Sequence, residues 1–118
     1  MNILFSYYPL HVQFNHGGAL LTAICKEAGI KADYVPCTQL KDKWDGFDTI
    51  GFSIVTDFDI HGAIEYDLLK PFIRDAIAAG KRVLLGGAYC KKFGKIDEDV
   101  VVCRGEAEDF IVDYLKGN

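Results

Sequence analysis

Asp57, Asp59 and His61 bring two carboxylates and an imidazole together within five residues of the chain. Enzymes transfer protons with these groups, so the cluster could provide the acid and the base of a small-molecule enzyme. All three residue types are common, however, and His61 has a simpler interpretation as a residue at the start of a helix. Acid–base catalysis by this cluster is therefore one hypothesis for the function of the protein.

Glycines and small polar residues stand at the ends of apolar runs. Gly86 and Gly87 end the run "RVLLGG", residues 104–106 follow "VVVC", and Ser53 and Thr56 stand at the end of "GFSIVT". Glycine lets a ligand or another backbone approach closely, and hydroxyl groups can bond a buried ligand. Simpler interpretations are an ordinary turn for the glycine pair, local backbone bonding for the hydroxyls and helix capping for 104–106.

Several familiar sites are absent by residue type. The chain has no Gly-x-Gly-x-x-Gly turn after its first apolar run, no Gly-Lys-Ser/Thr loop and no Gly-x-Ser-x-Gly elbow. The four cysteines are widely spaced, without a Cys-x-x-Cys pair or a Cys/His cluster. Cys25 and Cys103 fall in apolar periodic segments and are predicted to be core residues, which favours a reducing compartment such as the cytosol.

The composition indicates one domain spanning residues 1–118. Half of the residues are apolar, which is enough for a core, and the net charge is −4. No basic face is evident, so nucleic acid is not expected as a partner. No apolar run approaches the roughly 20 residues of a membrane span, and the N-terminus lacks the pattern of a secretion signal, so we expect a cytoplasmic protein.

Five short apolar runs predict five strands, at residues 2–6, 31–35, 49–54, 82–86 and 99–103. Because these runs alternate with helical or turn segments, they predict a parallel sheet covered on both faces. The fold class expected is therefore α/β, a flavodoxin-like doubly wound five-stranded parallel sheet in the order 2-1-3-4-5, forming one three-layer domain.

Helical spacing is found at 18–29, at 62–79 and from 106 to the end of the chain, with at most a turn or two of helix in 38–45. Gly29 and Gly80 are predicted stop signals. Pro71 predicts a kink in the 62–79 helix, or two helices with Pro71 opening the second. Ligands of such sheets bind beyond the carboxyl ends of the strands, so the loops there, including Tyr8, should form the site.

Four segments resemble a known family. "GGALLTAICKEAGI", "DTIGFSIVT", "KRVLLGGAY" and "DVVVCRGEAEDFIVDYL" occur in the order and at the spacing found in the cobalamin-binding domain at the N-terminus of many radical-SAM enzymes. The resemblance covers nearly the whole chain. It implies that a cobalamin binds at the carboxyl edge of the sheet, with its nucleotide tail between the sheet and the helices.

The resemblance implies cofactor contacts from small and polar residues at the strand ends. Gly86, Gly87 and Gly105 would leave space for the tail, and Ser53 and Thr56 would bond it. The full set of expected cofactor-binding residues is Ser53, Thr56, Gly86, Gly87, Gly105, Glu106, Tyr8 and His61.

The resemblance also implies how the cobalt is bound. An Asp-x-His-x-x-Gly motif, whose histidine binds cobalt in another branch of cobalamin domains, is absent after the first strand. We therefore expect base-off binding without a cobalt ligand from the protein. Asp59-Ile60-His61-Gly62 reproduces only the beginning of that motif, after the third strand, so His61 is the one candidate that could contradict this expectation.

The chain departs from radical-SAM enzymes in lacking Cys-x-x-x-Cys-x-x-Cys. It is therefore not expected to catalyse that chemistry alone, and it would act as a small carrier, as the partner of a separate enzyme, or as a piece of a longer chain. A different hypothesis is an interaction module that keeps the fold without the cofactor. Its aromatic edge, formed by Tyr7, Tyr8, Phe14 and Phe58, would bind a protein partner or a second copy in a homo-oligomer.

Overall fold

The structure is a computed structural model that describes the backbone of residues 2–8, 16–54, 59–87, 100–102 and 107–116. Within these ranges, the side chains of 16–18, 53–54, 59–66, 87, 102 and 107–110 are not described. Thr56, Asp57, Cys90, Cys103, Gly105 and Glu106 lie outside the described residues, as do Phe14 and Phe58.

Five strands form one parallel sheet in the order β2-β1-β3-β4-β5. They are β1 (Asn2–Tyr7), β2 (Lys31–Pro36), β3 (Thr49–Ile54), β4 (Arg82–Gly87) and β5 (Val100–Val102). The predicted strands, their direction and their order are confirmed. Short apolar runs bounded by glycine or polar residues favour buried strands, and the helices between them make the parallel arrangement possible.

The helices are α1 (His16–Glu27), α2 (Leu40–Lys43), α3 (Asp59–Ala78) and α4 (Ala107–Leu115), with 3-10 turns on either side of α2 at Cys37–Gln39 and Trp44–Gly46. Gly29 and Gly80 have φ angles of 82° and 79°, which favour glycine, and they end α1 and α3 as predicted. The prediction of only a turn or two of helix in 38–45 is confirmed.

Pro71 lies inside α3, which continues as one helix of 20 residues rather than as two. The alternative of a second helix opening at Pro71 is therefore wrong. Pro71 and Asp67 are both exposed. Proline removes the hydrogen bond to the carbonyl four residues earlier, here that of Asp67, and water can replace that bond on an exposed side of the helix.

The two faces of the sheet carry separate cores because side chains alternate along each strand. On one face, here called the α3 side, the core includes Leu4, Ile50, Phe52, Leu69 and Ile73. On the other face, the α1/α4 side, the core residues are Ile3, Phe5, Cys25, Ile30, Ala32, Leu84, Ile111 and Leu115. The fold is thus the doubly wound, three-layer arrangement that the sequence predicts.

Two cysteines belong to these cores. Cys25 is buried on the α1/α4 side, as predicted, and Cys37 is buried on the α3 side; both are free thiols. Cys103, predicted as a core residue, lies outside the described residues. Among the parts of the chain that are described, no helix combines the length and apolar character needed to cross a membrane.

Hydrogen bonds and a cation–π contact connect residues at the amino ends of the strands. We call this group the amino-edge cluster; it consists of Asn2, Lys31, residues 44–48 and Lys81. Lys81 Nζ donates to the carbonyl oxygens of Phe47 at 2.7 Å and Trp44 at 3.0 Å. Asn2 donates through Nδ2 to the Gly46 carbonyl at 2.9 Å and accepts the Asp48 N–H at 2.6 Å. Lys31 Nζ lies 4.6 Å from the centre of the Phe47 ring. These bonds fix the segment that leads into β3.

Candidate functional site

The carboxyl ends of β1 and β3 mark the point where the chain reverses its direction across the sheet. The helix after β1, α1, packs on one face, and the helix after β3, α3, packs on the other. In folds of this kind, the connections that follow two such neighbouring strands lead to opposite faces and leave a crevice beyond the strand ends. Ligands of doubly wound sheets bind in this crevice.

The strand register brings three of the predicted site residues to this place. Ser53 of β3 pairs with Tyr7 of β1 on one side and with Gly86 of β4 on the other. One residue further along, Ile54 pairs with Gly87. Ser53, Gly86 and Gly87 are therefore neighbours near the carboxyl edge, although 32 residues, 54–85, lie between Ser53 and Gly86 in the sequence.

Tyr8 follows β1 directly and is half-buried. It packs against the core of the α3 side. At least part of this aromatic side chain therefore contributes to packing. A ligand contact from Tyr8 stays a prediction.

His61 and Asp59 belong to the first turn of α3, and Asp59 is its first residue. His61 is thus a helix-start residue, the simplest of its interpretations. Because α3 follows β3, its first turn lies near the carboxyl edge. Asp57, the third member of the proposed acid–base cluster, lies outside the described residues, as do Thr56, Gly105 and Glu106, and their predicted roles stay predictions.

Ser6 is a residue near the site that sequence reasoning missed. Its side chain lies in β1, with only 1 % of the residue exposed, and its hydroxyl has no hydrogen-bond partner in the described part of the chain. One sequence signal could have found it. Ser6 is two residues after Leu4, so strand alternation places it on the same buried side.

The two buried thiols are not suited to nucleophilic chemistry. Burial raises the pKa of Cys25 to about 11. Burial also raises the pKa of Cys37 to about 11, although the backbone N–H groups of Cys37 and Thr38 oppose the shift. Since the thiolate is the reactive form, both cysteines are inert at neutral pH.

A metal site is not found among the residues that the structure describes: no three His, Cys, Asp or Glu side chains there are grouped to hold an ion. The described part of the carboxyl edge has small residues or hydroxyl groups near the ends of the three central strands, β1, β3 and β4. Such an edge can admit a flat or narrow group and bond it with neutral hydrogen bonds.

Comparison of the chain with protein-family models gives no match, and comparison with curated proteins gives none either.

Proposed function

We propose that this chain binds cobalamin base-off at the carboxyl edge of the sheet and has no catalytic activity of its own. The observation that carries the proposal is the strand register at the crevice. It aligns Ser53 with Gly86 and Ile54 with Gly87, so the hydroxyl-bearing and glycine positions that resemble the cobalamin family are neighbours.

The residues at this edge fit a buried nucleotide tail in two respects. Glycine at two consecutive positions of β4 leaves room that any larger residue would occupy. Ser53 and Gly86 are register partners and therefore lie on the same side of the sheet, where a hydroxyl stands beside a position without a side chain. Both features lie beside the crevice of the fold rather than at the amino edge.

In this proposal each residue of the chain has a simple task. Gly86, Gly87 and Gly105 leave space for the tail, and the hydroxyls of Ser53 and Thr56 bond it. The remaining residues of the proposed site are Glu106, Tyr8 and His61, whose contacts with the cofactor are implied by the family resemblance. The cobalamin would supply the cobalt chemistry, and a separate enzyme would use it.

The first experiment is a cobalamin titration followed by the visible spectrum, with wild type and with Gly87→Leu. The leucine side chain should fill the tail channel and abolish binding, while circular dichroism stays that of the wild type. Ala78→Leu is the matched control, because it enlarges an exposed residue at the end of α3 that belongs to the amino edge. Unchanged affinity in Gly87→Leu removes Gly87 from the site.

Base-off binding has its own measurement. A tail held between sheet and helix keeps its base away from the metal. Neither His11 nor His16, the two histidines that follow β1 before β2, has an aspartate two residues before it to orient the imidazole. Electron paramagnetic resonance of bound cob(II)alamin should therefore show no nitrogen splitting. A triplet splitting that is lost in His61→Ala would contradict the proposal and make His61 the cobalt ligand.

The proposal also concerns the compartment and the partners of the protein. Two free thiols in the core agree with a reducing compartment such as the cytosol. Cobalamin carriage requires an enzyme as partner, and neither nucleic acid nor a membrane is part of the proposal. A wild-type protein that is folded but shows no cobalamin spectrum would instead favour the interaction module, which binds a protein partner or a second copy of the chain. It would equally reopen the enzyme hypothesis with Asp57, Asp59 and His61.

A further inference from the structure

The strand β2 forms one end of the sheet. Within the described residues it pairs with β1 alone, and the pairing runs along the whole strand. An end strand has backbone N–H and C=O groups on its outer side, and a strand of another molecule can pair with them. The outer side of β2 is therefore a place where the chain could join a second copy of itself, unless something closes it.

A side chain of β2 occupies one of these outer groups. The Tyr34 N–H donates to Asp33 Oδ1 at 2.8 Å, and the bond is partly buried. Paired strands lie only about 4.8 Å apart, which leaves no room for a carboxylate between them. The Tyr34 N–H must therefore point away from β1. A hydrogen bond to a carboxylate is stronger than one between neutral groups, so this N–H is not readily released.

The direction of the Tyr34 N–H also fixes the direction of the backbone groups two residues away. These groups alternate along a strand, so those of Ala32 and Pro36 face outward together with those of Tyr34. Pro36 has extended backbone angles, with φ −64° and ψ 150°, and proline has no N–H. Two of the three outward positions therefore lack a free N–H, one because of Asp33 and one because of the proline ring.

These two features matter most for pairing between two copies of the chain. Two end strands can pair antiparallel around a two-fold axis, and each then presents the same residues to the other. In a pair centred on Tyr34, the two Tyr34 residues would exchange hydrogen bonds, and Ala32 of each copy would face Pro36 of the other. The bonds from Tyr34 and from Pro36 would be missing, so only those donated by Ala32 would remain.

We propose that Asp33 and Pro36 close the outer side of β2 against strand addition by a second copy of this chain. The carboxylate occupies the Tyr34 N–H, and β2 would have to give up that bond before it could pair. Any self-association of the protein therefore uses another surface. The proposal is independent of the binding of cobalamin, because it concerns a different edge of the sheet.

The test measures self-association by sedimentation velocity over a range of protein concentrations. The double variant Asp33→Ala, Pro36→Val removes the carboxylate and restores the missing N–H. It should self-associate at least about 10-fold more tightly than wild type, because a symmetric pair regains several backbone hydrogen bonds. Asp33→Ala alone should show a smaller increase. Its Tyr34 amide should exchange hydrogen faster than that of wild type in dilute solution, as measured by nuclear magnetic resonance.

Two further variants separate the hydrogen bond from the charge, and circular dichroism checks the fold of each variant. Asp33→Asn keeps an oxygen that can accept the Tyr34 N–H, so it should behave as wild type. Asp113→Ala removes the same charge from an exposed position of α4 and should also leave self-association unchanged. Equal self-association in the double variant and wild type would overturn the proposal. An Asp33→Asn variant that associates as tightly as Asp33→Ala would overturn it too, because the charge and not the bond would then keep the copies apart.

Discussion

Replacing Lys81 with methionine should destabilise the protein without affecting its ligand site. The Lys81 ammonium donates to two carbonyl oxygens, those of Phe47 at 2.7 Å and Trp44 at 3.0 Å, and lies 5.9 Å from the centre of the Trp44 ring. A hydrogen bond from a charged group contributes about 1.5–3 kcal/mol. The energies of the two bonds do not add, because both bonds come from one half-buried ammonium group. Methionine keeps most of the apolar part of the lysine side chain, so little packing is lost.

The expected loss in the free energy of unfolding is thus about 2 kcal/mol, which for a chain of this length lowers the melting temperature by roughly 8 °C. Urea denaturation followed by circular dichroism measures the free energy directly. The proposed binding of cobalamin should be the same in the variant and in wild type, because Lys81 lies at the amino edge, at the end of the sheet opposite the candidate site.

Lys41→Met is the matched control for this prediction. Lys41 also has a partner, since its Nζ lies 2.8 Å from Asp75 Oδ2, but both side chains are about half exposed or more. Exposed ion pairs of this kind contribute at most about 1 kcal/mol. If Lys81→Met costs no more than Lys41→Met, the bonds to the carbonyl groups do not hold the amino edge, and our account of it is wrong.

Gly51→Ala should cost about 1–3 kcal/mol in urea denaturation, because a Cβ atom at this position would lie 2.9 Å from Phe5 Cδ1 in the centre of the sheet; a neutral result would mean that the ring moves aside freely. Cys25 and Cys37 should resist a thiol reagent at pH 8 until the chain unfolds, which mass spectrometry of labelled peptides can show, and labelling in the native state would refute their burial. Because burial raises their folded pKa from 9.0 to about 11, the neutral thiols stabilise the fold fully below pH 9. This contribution should be lost as the pH rises from about 9 to 11, and replacing both cysteines with alanine should make the decline over that range less steep.

The sheet could be predicted from the sequence because its signals are local. Each strand is a short apolar run, and Gly29 and Gly80 stop their helices through their own backbone angles. The continuity of α3 through Pro71 could not be predicted, because it depends on which side of the helix faces water. The sequence therefore left a kink and a helix break as equal alternatives.

The candidate site was predictable only in part. The glycine pair and Ser53 could be found because they end apolar runs, and the parallel order brings their strands together. Strand alternation could place Ser6 on a buried side of β1, but its lack of a hydrogen-bond partner within the described residues depends on everything that surrounds the hydroxyl. The bonds of Lys81 could not be predicted either, because Lys81 lies 34 and 37 positions after the residues whose carbonyl groups it contacts.

The amino-edge cluster has a consequence for how such a protein can evolve. It ties the start of β1, the segment before β3 and the start of β4 to one another through Asn2, Asp48 and Lys81. The loops that follow the same strands at the other end can therefore accept insertions and substitutions without loosening this anchor. A lineage built on this scaffold can change its ligand while keeping its architecture, and a mutant library aimed at a new ligand should vary the carboxyl-edge loops and spare the amino edge.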